Sequence, residues 1–188
     1  MTERADAMAI QFESQGKAAD EAAIAAVEAQ LGIRFPEDYR RFLAEFNGAQ
    51  PEGNVFDVPS MAEQSSVRVF YGATGDEYDD LVLNWKVFLG RMPANLIPIA
   101  EDDFGNLVVI SVAGCNTGRV FFWDHDREAP QGETADYRNV HEVAQSFDAF
   151  LQQLRRFDPK SIPPGAKAEL LWIDPGFLRE QREKGNLR

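Results

Sequence analysis

Apolar residues along this chain fall at two spacings, one helical and one extended. Ile24, Val27 and Leu31 recur at helical intervals behind Asp20, whose carboxylate suits an N-cap, and Gly32 offers a left-handed stop. Tyr39, Phe42, Leu43 and Phe46 then stand at i, i+3, i+4 and i+7, one continuous stripe. Phe35-Pro36-Glu37-Asp38 opens that helix: proline lacks only an N–H that has no helical partner there, and the two acids favour the positive end of the dipole. Asn47-Gly48 ends it. Leu81, Trp85, Phe88 and Leu89 predict a third helix between Asp79 and Leu89, closed by Pro93, and Ser146 caps a fourth carrying Phe147, Phe150, Leu151 and Leu154.

Between these helices the pattern becomes extended. Val55–Val58 and Val67–Tyr71 have the β-branched and aromatic content of short strands. Leu96–Ala100, Leu107–Ser111 and Val120–Trp123 predict a meander, joined through Phe104-Gly105-Asn106 and Gly114-Cys115-Asn116-Thr117-Gly118, and Val140–Val143 offers another strand. Short glycine-bearing links favour antiparallel neighbours. The expected fold is a single α+β domain: a largely antiparallel central sheet of about five to six strands, with helices from the N- and C-terminal ends packed on one side of it. Residues 20–157 form that domain. Residues 1–19 are read as a lead-in that frays or is loosely helical. Residues 158–188 are read as a linker, from Asp158-Pro159 through Ile162-Pro163-Pro164-Gly165, and an extension in which Leu170–Ile173 is apolar and Asp174-Pro175 opens a charged helix to Lys184.

Composition narrows the setting. At 188 residues with 44% hydrophobic and 27% charged residues, the chain can bury a core without staples. No apolar run approaches the ~20 residues that span a bilayer, the first ten residues hold no signal-peptide core, and Cys115 is a lone cysteine. Together these point to the cytoplasm and away from a membrane. Nineteen basic against 31 acidic residues, net −12, argues against direct nucleic-acid binding through phosphate contacts. The imbalance is uneven. Residues 1–154 hold 11 basic and 26 acidic side chains, net −15, whereas residues 155–188 hold 8 and 5, net +3. An acidic body suits a basic partner, although the same charge also serves solubility.

Four segments, in order, resemble the SUKH superfamily of Smi/Knr-type proteins. They are Leu31-Gly32-Ile33-Arg34-Phe35-Pro36-Glu37-Asp38-Tyr39 with Phe42-Leu43 and Phe46-Asn47-Gly48; Leu96-Ile97-Pro98-Ile99-Ala100 with Asp102-Asp103-Phe104-Gly105-Asn106; Gly118-Arg119-Val120-Phe121-Phe122-Trp123-Asp124-His125-Asp126; and Ser146-Phe147 with Phe150-Leu151. They span about residues 20–155. The resemblance implies one α+β domain used as a protein-binding scaffold. The family includes bacterial immunity proteins that bind and neutralise cognate polymorphic toxins, and fungal cell-wall regulators that gather several partners; the expected function is the former, with a nuclease one candidate toxin, and a hub of the latter kind is the alternative function.

Reactive chemistry has little material. Asp124-His125-Asp126 has ligand-type side chains, but on a continuous strand His125 points away from both acids, so the three converge only if the strand ends there. Glu101-Asp102-Asp103 with Asn106 lacks the spacing of a calcium loop and reads as a polar turn. No Walker loop, dinucleotide fingerprint or Cys–His pair occurs. The expectation is a non-enzyme without metal or cofactor. The densest acidic clusters, Asp76, Glu77, Asp79 and Asp80 with Glu101, Asp102 and Asp103, are the candidate partner-binding residues, joined by Tyr71, Tyr78 and Trp123 as aromatic anchors. The competing reading is that the acids are simply solvated and the aromatics are core.

Overall fold

The computed structural model describes residues 10–158, apart from 76, 77 and 131. Most of the proposed extension, the outermost part of the lead-in, and the candidate residues Asp76 and Glu77 lie outside the described residues. Four helices accompany nine strands: β1 (Phe12–Gln15), α1 (Glu21–Leu31), α2 (Glu37–Glu45), β2 (Ala49–Pro51), β3 (Val55–Val58), β4 (Glu63–Ser66), β5 (Val69–Phe70), α3 (Leu81–Val87), β6 (Leu96–Glu101), β7 (Leu107–Ser111), β8 (Val120–Trp123), β9 (Val140–Ala144) and α4 (Phe147–Gln153). Seven strands form one sheet in the order β1-β2-β5-β6-β7-β8-β9, with every neighbouring pair antiparallel, and β3–β4 is a separate hairpin. The α+β class holds, with more strands than expected.

The helix boundaries follow their caps. Asp20 Oδ1 accepts from Ala23 N at 2.8 Å, and Gly32 closes α1 at φ 68°. Pro36 stands one position outside α2 rather than inside it. Asp80 caps α3 through Leu83 N, and Ser146 caps α4 through Ala149 N. Asp38 reaches across from α2, its Oδ2 accepting from Phe147 N at 2.8 Å and Asp148 N at 3.2 Å, so the start of α4 is bound to a residue 109 positions earlier.

The lead-in is not helical where it is described. Phe12–Gln15 pairs with β2 as an edge strand, and Phe12 packs on Phe46 with ring centroids 4.4 Å apart. Phe12 also lies 6.0 Å from Phe42, so the edge strand covers the C-terminal end of the α2 stripe.

Both faces of the central strands are buried, where helices on one side alone were expected. Val108, Ile110, Val120 and Phe122 face the main core with α1, α2 and α4; Leu107, Val109, Phe121 and Trp123 face a smaller core closed by Phe88 and Met92. Period-two alternation with both sides covered explains why β7 and β8 read as unbroken apolar runs. The main core centres on an aromatic hub. Phe42 meets Phe70 and Phe147 edge-on at 5.0 Å each, Tyr39 meets Phe147 at 4.9 Å, and Phe56 meets Phe150 at 5.1 Å.

Asn47 and Gly48 do more than end α2. Buried Asn47 donates from Nδ2 to Lys17 O at 2.7 Å and accepts at Oδ1 from Ala73 N at 2.7 Å, joining three chain segments. They come so close that a Cβ on Gly72 would sit 2.6 Å from Gly48 N.

Arg40, buried on α2, pairs with Glu28 and Glu21 of α1. Burial alone would raise the Glu28 pKa, but the hydrogen bonds from Arg40 and Phe35 N and the charges of Arg40 and Arg34 outweigh it and hold the carboxyl below its ordinary value.

Two stability predictions follow from this packing. Phe42→Ala should cost about 3–5 kcal/mol by urea denaturation, and Phe46→Ala less, because Phe46 is only half-buried. A depressed folded pKa means that Glu28 contributes stability above the ordinary carboxylate range and loses it as pH falls through the folded value. Glu28→Gln should therefore lower stability at pH 7 and flatten the acid limb of a stability-against-pH curve.

Candidate protein-binding surface

The described members of the two acidic clusters, Asp79 and Asp80 on one hand and Glu101, Asp102 and Asp103 on the other, sit at opposite ends of the β5–β6 ladder. Phe70 pairs with Ala100 and Val69 with Glu101 in antiparallel register. Glu101–Asp103 therefore leave the end of the ladder at which β5 begins. Gly72, beyond the far end of β5, bridges to Asp80 and donates its N–H to Asp79 O at 2.9 Å.

At the first end Asp102 is buried and builds the turn. Its Oδ1 accepts from Phe104 N and Asn106 N, each at 2.8 Å; its Oδ2 accepts from Asn106 Nδ2 at 2.8 Å and Ser65 Oγ at 3.1 Å. Because Asn106 spends its amide N–H on a carboxylate, its Oδ1 faces His125 and accepts from that residue's N and Nδ1 at 3.1 Å. One acid thus ties the β6–β7 turn to the β3–β4 hairpin and to the end of β8. Gly105, at φ 89°, completes the turn. Glu101 pairs with Arg68 and accepts from the Tyr71 hydroxyl at 3.0 Å. Burial pushes the Tyr71 phenol well above its ordinary pKa, so it stays a donor.

Tyr71 and Trp123 have no accessible side chain: both are core, and Trp123 packs edge-on against Phe88 beneath the Arg91 guanidinium. Asp80 is spent on capping, accepting from Leu83 N and Gly75 N at 2.9 Å each. Asp103 and Tyr78 are exposed and Asp79 is half-buried, at different ends of the ladder.

The sequence reading passed over Phe104. It is 76% exposed at the tip of the turn, on the rim of a cleft of about 350 Å³ that Glu63, Asp102, Asp124 and Asp126 also line. A phenylalanine in the middle of an Asp-Gly-Asn turn is out of place for a merely solvated loop, and that was the available signal.

Strand β8 ends at Trp123 and His125–Arg127 form a single 3-10 turn, so the condition for convergence of Asp124-His125-Asp126 is met. One ligand-type atom from each lies within 4.8 Å of the others, and Arg127 Nε stands 3.5 Å from Asp124 Oδ2. Elsewhere Ser60 Oγ lies 2.8 Å from His141 Nδ1, yet His141 Nε2 is buried with no hydrogen-bond partner among the described residues. A nucleophilic pair needs a third group orienting the base, and this one has none there. Among the described residues no helix is long and apolar enough to cross a membrane.

These features define an α+β domain with both faces of its central strands filled, whose polar side chains organise turns. The chain belongs to the SMI1 / KNR4 family (SUKH-1), whose sequence model matches residues 18–153. It is also similar to the SPbeta prophage-derived uncharacterized protein YokK of Bacillus subtilis (strain 168), 26% identical over 145 residues that cover 68% of this chain and 70% of that protein.

If Asp102 is the organiser of its turn, Asp102→Ala leaves the Phe104 and Asn106 N–H groups without their acceptor. The expected cost is about 1–3 kcal/mol, read by urea denaturation, with faster amide exchange at Asn106.

Proposed function

We propose that this protein is a non-catalytic cytoplasmic binding domain that acts as an immunity protein, seating on a cognate polymorphic toxin and blocking it. The observation that carries this reading is family membership across nearly the whole described body, in which the family-like polar residues are consumed by architecture. Asn47 joins segments, Asp102 and Asn106 build a turn, and Ser146 caps a helix. The exterior is left to read a partner.

Charge supports a basic target. Residues 1–154 carry net −15, and a nuclease toxin must present cations to hold a phosphate backbone. Acids such as Asp79, Asp103 and Asp126 can then steer encounter and oppose those cations.

The test is co-expression with the product of the neighbouring toxin-like gene. A stable 1:1 complex and survival of the host are expected, with association slowing steeply as salt rises. Absence of both binding and protection would sink the immunity reading.

A further inference from the structure

We infer that the cleft between the β6–β7 turn and the β3–β4 hairpin receives one arginine side chain of the partner, an inference that rests on the protein-binding reading above. The lining itself carries the charge that selects this occupant. Glu63, Asp102, Asp124 and Asp126 all line the cleft, and Arg127 is the one cation among its described lining residues. Hydrogen bonds orient the carboxylates of Asp102 and Asp124 without cancelling their charge. Asp102 is only 5% exposed, and every donor it meets is neutral: Phe104 N, Asn106 N, Asn106 Nδ2 and Ser65 Oγ. The guanidiniums of the adjoining segments are committed elsewhere, Arg68 to Glu101 and Arg127 to Asp124, so no ion pair reaches Asp102 among the described residues. A carboxylate buried this deeply is ordinarily matched by a cation. Here the cation is missing and the space beside the carboxylate is open.

Size and walls narrow the ligand further. The cleft encloses about 350 Å³, near the bottom of the range of about 300–1,000 Å³ for small-ligand sites, which suits one long side chain rather than a helix. Met61 and Phe122 supply an apolar wall for a methylene stem. Exposed Glu63 and Asp126 stand toward the mouth, whereas buried Asp102 and Asp124 stand at depth.

Phe104 on the rim offers a solvent-facing ring on which a cation can rest. A guanidinium fits these partners better than an ammonium group. It is planar and weakly hydrated, so it stacks on a ring while its five donors reach separate carboxylates. The cleft's own Arg127 does not fill it: its side chain is 62% exposed and its Nε stands 3.5 Å from Asp124 Oδ2.

The experiment titrates the full 15N-labelled chain with three blocked pentapeptides, Gly-Gly-X-Gly-Gly, in which X is arginine, lysine or citrulline. Citrulline keeps the shape of arginine without its charge. The arginine peptide should shift the amides of Gly105, Asn106 and Asp126. It should bind about tenfold more tightly than the citrulline peptide and about threefold more tightly than the lysine peptide. Glu63→Gln with Asp126→Asn, both at the surface and checked for an unchanged melting temperature, should weaken it by about tenfold, and Phe104→Ala by about threefold. Arg127→Gln should strengthen it by about threefold, since it removes the cation already in the cleft; a purely structural role for Arg127 gives no such gain.

No binding, equal binding of the citrulline or lysine peptide, shifts centred away from the cleft, or no gain from Arg127→Gln would overturn the proposal. So would calcium chloride at matched ionic strength producing the same shifts at lower concentration than the arginine peptide, because the acids would then hold a metal ion. Toxin neutralisation measured in parallel separates the two ideas. If the Glu63→Gln, Asp126→Asn variant protects as well as the original chain, the cleft is not the docking point and the immunity role stands. If the original chain fails to protect while the peptides behave as expected, the immunity role falls and the cleft reads an arginine of another protein.

Discussion

Side chains fill both sides of β7 and β8, and this double burial constrains everything else in the molecule. Val108, Ile110, Val120 and Phe122 belong to one core, and Leu107, Val109, Phe121 and Trp123 to the other. Neither face of β7 or β8 is left open among the described residues. Accessible side chains lie on turns, edges and the outer surfaces of the covering helices. The polar residues near the sheet are drawn into keeping its ends closed: Asp102 and Asn106 at the β6–β7 turn, and Asn47 where Lys17 and Ala73 meet it.

Some positions are fixed by contacts inside the fold, and others meet only solvent. A glycine at position 72 is demanded by the approach of Gly48, and an acid at 102 by two backbone N–H groups. Neither demand involves anything outside the domain. Phe104, exposed at the tip of the β6–β7 turn, answers to no such constraint, and neither do Val87 or Leu89.

Much of the architecture was legible from residues alone. Asp20 and Gly32 bracketed α1, and the apolar runs of β3, β7 and β8 matched their strands residue for residue. What escaped had no apolar signature. Glu63-Gln64-Ser65-Ser66 is polar throughout and becomes a strand only because β3 lies beside it. Phe12–Gln15 has a single large apolar side chain, and its partner β2 is three residues long. The candidate site was less legible, because density of acids along a chain says nothing about what each acid meets. Asp80 and Asp102 look the same as Asp79 and Asp103 in sequence, yet the first pair serves backbone N–H groups inside the fold. Tyr71 and Trp123 were drawn as anchors by residue type, and their neighbours made them core.

The clasp between Asp38 and the start of α4 has a consequence for how the domain comes into being. Phe42 and Phe147 share the aromatic hub, and Asp38 holds Phe147 N from 109 residues away. Closing so long a loop is entropically costly until the whole hub rewards it. The hub is therefore completed only when α4 docks, whatever local helices and hairpins have formed before it.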